Sequence, residues 1–224
     1  MHIWYHFIYF VFQSTFMPNE EQHPSLETLQ EIRSIMDRSA RFITLSGWSG
    51  IWAGITALAA ALLAQKWINV AVKWHYAYGR LRLQLLVLAL VVFVIALAGA
   101  FLFTYRKTKK NHQPMWNAAS RQLLLHGAIP LLAGAVFSLC FLYNGDDLYI
   151  APSCLVFYGL ALINASKYTL SDIRYLGLLE VILACICLFY PAYGLYFWAA
   201  GFGILHILYG LVMWKKYDKP AIAQ

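Results

Sequence analysis

Residues 176–190 read LGLLEVILACICLFY, one carboxylate, Glu180, inside an otherwise apolar run that ends at Pro191. A run of this kind is long enough, with its flanks, to cross a ~30 Å hydrocarbon core as a helix rising 1.5 Å per residue. An ionisable side chain at that depth is costly unless it has a partner or a task. Beyond the turn at Pro191-Ala192 the chain is apolar again and carries His206. Glu180 lies eight residues past Asp172 and His206 eight before Trp214, so each sits ~12 Å from the same end of a helical hairpin. The spacing predicts that the two meet across it in a hydrogen bond.

Working outward, the same pattern repeats. Of the 224 residues, 61% are hydrophobic and 12% charged, about half the charge of an ordinary soluble domain. Six apolar runs predict membrane spans over Phe42–Ala64, Gln84–Tyr105, Gln122–Tyr143, Leu148–Ala165, Asp172–Tyr190 and Tyr193–Trp214. The expected fold is therefore all-α: a six-transmembrane-helix bundle built from hairpins over 42–214, preceded by an N-terminal segment (1–41) and followed by a basic tail (215–224). Connections are short, which leaves no room for a soluble catalytic domain. The stretch Gln65–Leu83, with Trp67, Trp74, Tyr76 and Tyr78, is expected to lie along the membrane interface.

The formal charge of +7 does not point to nucleic acid, because the cations cluster in loops and termini. Arg33, Arg38, Arg41, Arg106, Lys107, Lys109, Lys110, Arg121, Lys167, Arg174, Lys215, Lys216 and Lys219 fall on one side of six spans. Lys66, Lys73, Arg80 and Arg82 fall on the other. The positive-inside rule then places both termini in the cytoplasm, in an inner membrane.

In the N-terminal segment, Ser25–Arg41 reads as an amphipathic helix. Leu26, Leu29, Ile32, Ile35 and Met36 form one face, with acids early and bases late as the helix dipole favours. Such a helix can rest on the membrane surface or dock a soluble partner. Residues 1–16 are too short and too poor in basic residues for a signal or a span. With Met17 as the natural start they are a start-site artefact; otherwise they form an interfacial anchor.

Small residues mark packing faces. Gly47, Gly50 and Gly54 recur at helical spacing in the first span, a pattern that lets helices approach closely in lipid and is a candidate homo-oligomer contact. Gly203, His206 and Gly210 share the spacing in the last span. The hairpins also echo one another: Tyr158-Gly159-Leu160 matches Tyr209-Gly210-Leu211. The four cysteines, all within spans, read as small packing residues.

Around Glu180 and His206, further polar residues reach similar depth: His126, Asn164, Ser46 and Ser49. Together they predict a polar pocket, and Pro130 frees the carbonyl of His126. Three uses fit the pair: interhelical glue, proton or solute handling, or metal and haem ligation. No CxxCH, HExxH or clustered Cys/His motif supports a metal or cofactor, and no nucleophile–base motif or phosphate loop supports an enzyme. The leading expectation is a small-solute or proton-linked transporter or stress-resistance protein. The alternative is a non-transporting scaffold or sensor that docks a partner through its N-terminal helix.

Leu176-Gly177-Leu178-Leu179-Glu180, through Pro191 to Gly201 and Gly210, resembles the repeat of the HdeD-like membrane proteins. That resemblance implies six helices in short hairpins and a role in acid-stress resistance. Asn164-Ala165-Ser166-Lys167-Tyr168-Thr169-Leu170, with Gly201-Phe202-Gly203-Ile204-Leu205-His206, is similar to uncharacterised six-span bacterial membrane proteins, which implies a family but no activity.

Overall fold

A computed structural model of the chain describes residues 28, 30, 32 and 36 and residues 46–74, 78–111 and 114–218. The chain divides into two units, Met1–Ser39 and Ala40–Gln224. In the first, Thr28, Gln30, Ile32 and Met36 are helical and exposed; the rest of the amphipathic helix expected there lies outside the described residues.

The described part of the second unit is mostly helical, with short turns between the helices. Its helices are α1 (Gly47–Trp74), α2 (Tyr78–Lys110), α3 (Ala118–Asn144), α4 (Ile150–Ala165) and α5 (Ile173–Phe189). The sixth, α6 (Pro191–Asp218), is composite: α-helical turns alternate with π-helical segments at Ala199–Leu205 and Trp214–Asp218. Five are long and apolar enough to cross a membrane, α4 when taken with the 3-10 turn Asp147–Tyr149 that precedes it; α5, with 17 residues, falls short.

The first two helices run well past their apolar cores. The stretch 65–83, expected to lie along the interface, instead continues α1 to Trp74 and begins α2 at Tyr78. Residues 65–74 hold no glycine or proline, so nothing in them stops a helix once the apolar run has started one. Elsewhere the ends are chemically marked. Asn117 opens α3 in a capping box with Ser120, each side chain bonding the other's backbone N–H. Gly145 closes α3 at φ 85°, a left-handed conformation in which its N–H returns to the Phe141 carbonyl.

Neighbours in sequence pack in pairs, α1 on α2, α3 on α4 and α4 on α5, and α6 returns to lie along α1. Because hydrocarbon gives helices no hydrophobic drive to associate, close backbone approach through small residues does that work. A methyl group added to Gly47, Gly54 or Gly210 would run into backbone atoms across the α1–α6 seam. The stripe that suggested a contact between copies is thus occupied inside the chain, by α6. Gly159 and Gly177 face each other in the same manner across α4 and α5. On α2, by contrast, only 6% of the most apolar window is buried, so its surface is left for lipid. It is held to α1 by Trp52, whose indole N–H donates to the Ile95 carbonyl at 3.1 Å while the ring lies over Gly99.

Candidate functional site: a buried carboxylate beside an imidazole

Glu180 lies midway along α5 and is fully buried. Its room comes from Gly201 on α6, where any side chain would collide with the carboxylate and with Leu155. His206 sits just beyond the π-helical segment and is 6% exposed. Its backbone N–H bonds the Gly203 carbonyl, and its ring reaches back to the Gly201 carbonyl. Nδ1 lies 3.0 Å from that oxygen. A carbonyl only accepts, so Nδ1 carries the proton. Nε2 is then an acceptor, and the Tyr158 hydroxyl donates to it at 2.7 Å.

The expected pair meets, but not as a hydrogen bond. Nδ1 of His206 is 3.5 Å from Oε1 of Glu180, a distance for electrostatic contact, while the ring N–H is spent on Gly201. Neither carboxylate oxygen has a hydrogen-bond partner among the described residues. Buried polar atoms are seldom left this way in native proteins, and each case calls for an explanation.

From His206 a polar column descends toward the end of the bundle that holds Asp172. Tyr158 lies within electrostatic reach of Glu180. Tyr209, one turn beyond His206 on α6, is within reach of Tyr158 on one side and of Asp172 and Tyr217 on the other. Its buried hydroxyl has no hydrogen-bond partner among the described residues. Asp172, just before α5, accepts from the Tyr217 hydroxyl and from Lys216 Nζ, both at 2.8 Å. The Lys216 hydrogen bond holds the Asp172 carboxyl below its ordinary range.

The other polar residues singled out in the sequence are engaged elsewhere. Ser46 donates to Asp218 at 3.2 Å and Ser49 to the Ser46 carbonyl at 2.6 Å, where α1 begins. His126 is exposed on α3 and stacks on Tyr168 with ring centroids 4.9 Å apart. Asn164 is half-buried on α4, six residues past Tyr158 and so on a different face of that helix. Depth alone suggested that these would converge; rotation about each helix axis separates them. The residues that do gather at the pair are Tyr158 and Gly201, with Tyr209 next to Tyr158. A signal for the two tyrosines was present in the paired Tyr-Gly-Leu triplets. Among the described residues no three His, Cys, Asp or Glu side chains cluster as a metal site would require.

Comparison with known proteins returns no matching family model, no matching curated protein and no matching solved structure.

Proposed function

We propose that this chain is a six-span protein of the bacterial inner membrane, with both termini cytoplasmic, that moves protons, alone or with a small solute, by way of Glu180. The observation that carries the reading is the carboxylate itself: fully buried, 3.5 Å from an imidazole, yet without a hydrogen bond among the described residues. Interhelical glue works through the hydrogen bonds it makes, at ~0.6–2 kcal/mol each, and this side chain makes none of them. A group that gains and loses a proton is served by unsaturated acceptors, a ring beside it and a route to water.

The route in this reading is the tyrosine column. His206 takes a proton at Nε2 from the Tyr158 side and releases the Nδ1 proton toward Glu180, with Tyr209 linking Tyr158 to Asp172 at the cytoplasmic rim. α5 serves as the sixth crossing, since its 17 residues match the lower limit for a span. The acid-resistance role implied by the HdeD-like resemblance fits a protein with such a relay.

The test is proton flux in proteoliposomes under a pH gradient, with a panel of small solutes, comparing wild type with Glu180→Gln. Flux that disappears in a variant that remains folded supports the proposal. Equal flux in both overturns the role of Glu180. Absence of flux from both favours the scaffold or sensor acting through the N-terminal helix, which loss of a captured soluble partner on deleting residues 17–41 would support.

A further inference from the structure

The helices form an incomplete ring. α2 packs on α1, α1 on α6, α6 on α4 and α4 on α3, but α2 and α3 scarcely touch. Between them lies a cavity of about 310 Å³, at the lower end of the ~300–1,000 Å³ of small-molecule sites. Ala60, Ala64, Ala89, Leu142, Ala151 and Trp198 line it. The alanines matter, because side chains this short leave the gap open where leucines would fill it.

Its mouth is marked by charge. Arg82, near the start of α2, reaches across to Asp147 in the turn before α4 at 2.9 Å, and also donates to the Leu142 carbonyl of α3. Both side chains of the ion pair are about one-quarter exposed, at 26% and 24%. Ala89 lies seven residues along α2 from Arg82, so the cleft runs ~10 Å inward from the pair. That is about two-thirds of one leaflet of a ~30 Å core. In hydrocarbon, an apolar slot of this depth opening between two helices is filled by an acyl chain, whose contacts replace those the walls otherwise lack.

We infer that this cleft holds one acyl chain of a phospholipid whose headgroup carries both a phosphate and a primary ammonium, the phosphate on Arg82 and the ammonium on Asp147. A guanidinium matches phosphate oxygens in fork geometry. A carboxylate accepts hydrogen bonds that an ammonium donates and a quaternary amine cannot. A purely anionic headgroup would face Asp147, and drawing Arg82 away from its partner would leave a partly buried charge alone. The zwitterion exchanges one ion pair for two and leaves neither charge unmatched. This inference rests on the chain spanning a membrane and is independent of Glu180.

The experiment uses the full chain in detergent, offered phosphatidylethanolamine, phosphatidylcholine and phosphatidylglycerol with matched acyl chains, with bound lipid read by native mass spectrometry. Phosphatidylethanolamine is expected to be retained at least tenfold over the other two. Ala89→Phe, which fills the cleft without touching the ion pair, is expected to abolish retention in a protein that still unfolds cooperatively. Asp147→Asn should erase the preference over phosphatidylcholine. Equal retention of the three lipids, or unchanged retention in Ala89→Phe, overturns the assignment.

Discussion

Two carboxylates among the described residues, Asp218 mostly buried and Glu180 fully so, are treated in opposite ways. Asp218, at the end of α6, accepts from the Gly47 N–H at 2.8 Å and from the Ser46 hydroxyl at 3.2 Å, and pairs with Lys107. It thereby ties the start of α1 and the end of α2 to the end of α6. Glu180 is more deeply buried and has no hydrogen bond among the described residues. Burial of an acid does not by itself identify its job. A carboxylate with one oxygen hydrogen-bonded at a helix start and the other paired with a lysine is holding structure, and its cost is offset by those contacts. One left unsaturated beside an imidazole is available for chemistry.

That comparison is open to direct attack. The largest expected effect is on Asp218: replacement by alanine leaves a helix start uncapped and breaks a mostly buried pair, costing about 3 kcal/mol. Denaturant unfolding in micelles measures it, and a variant as stable as wild type would show that these contacts are not what holds this end together. Next is Gly210→Leu, which forces atoms into the backbone of α1 at Gly47 and Ile51. A loss of ~1–3 kcal/mol is expected, and a neutral result would mean the α1–α6 seam is looser than drawn.

Glu180→Gln comes third in stability, with a change below ~1 kcal/mol because no hydrogen bond is lost, while proton flux falls tenfold or more. A large loss of stability with flux intact would place Glu180 in the same class as Asp218. The smallest effect concerns Asp172. Its folded pKa lies below the unfolded value of ~3.9, so it binds its proton less readily when folded. Its contribution is then present above pH ~4 and lost as pH falls through the folded value. Melting temperatures of wild type and Lys216→Met should differ by a constant margin above pH 5 and converge below pH ~4.

Much of this was legible in the residues. The apolar runs marked helices, five of them long and apolar enough to cross a membrane, and counting along the hairpin brought Glu180 opposite His206. Hydropathy reports where lipid begins, however, not where a helix stops, so the extensions of α1 and α2 were misplaced. Counting along a helix also gives depth without rotation, which is why Ser46, Ser49 and His126 were drawn toward a site that they do not reach. The partner of the glycine stripe was within reach: Gly47-Gly50-Gly54 and Gly203-His206-Gly210 share the 3,4 spacing, and matched spacings mesh. The paired Tyr-Gly-Leu triplets marked Tyr158 and Tyr209 as a repeat, but a tyrosine in an apolar run looks like any other large side chain, so their place beside the pair was not read.

The cap that Asp218 places on α1 joins residues separated by 171 positions. Chains are made N-terminus first, so α1 is sealed by a residue made long after it. Until α6 emerges, α1 waits with its glycine stripe uncovered and its opening amide unfilled. Closure of this kind is slow, because the contacts that reward it are the most distant in the chain. The bundle is therefore fastened like a belt, with α6 as the buckle that closes on α1 only after the helices between them have been made.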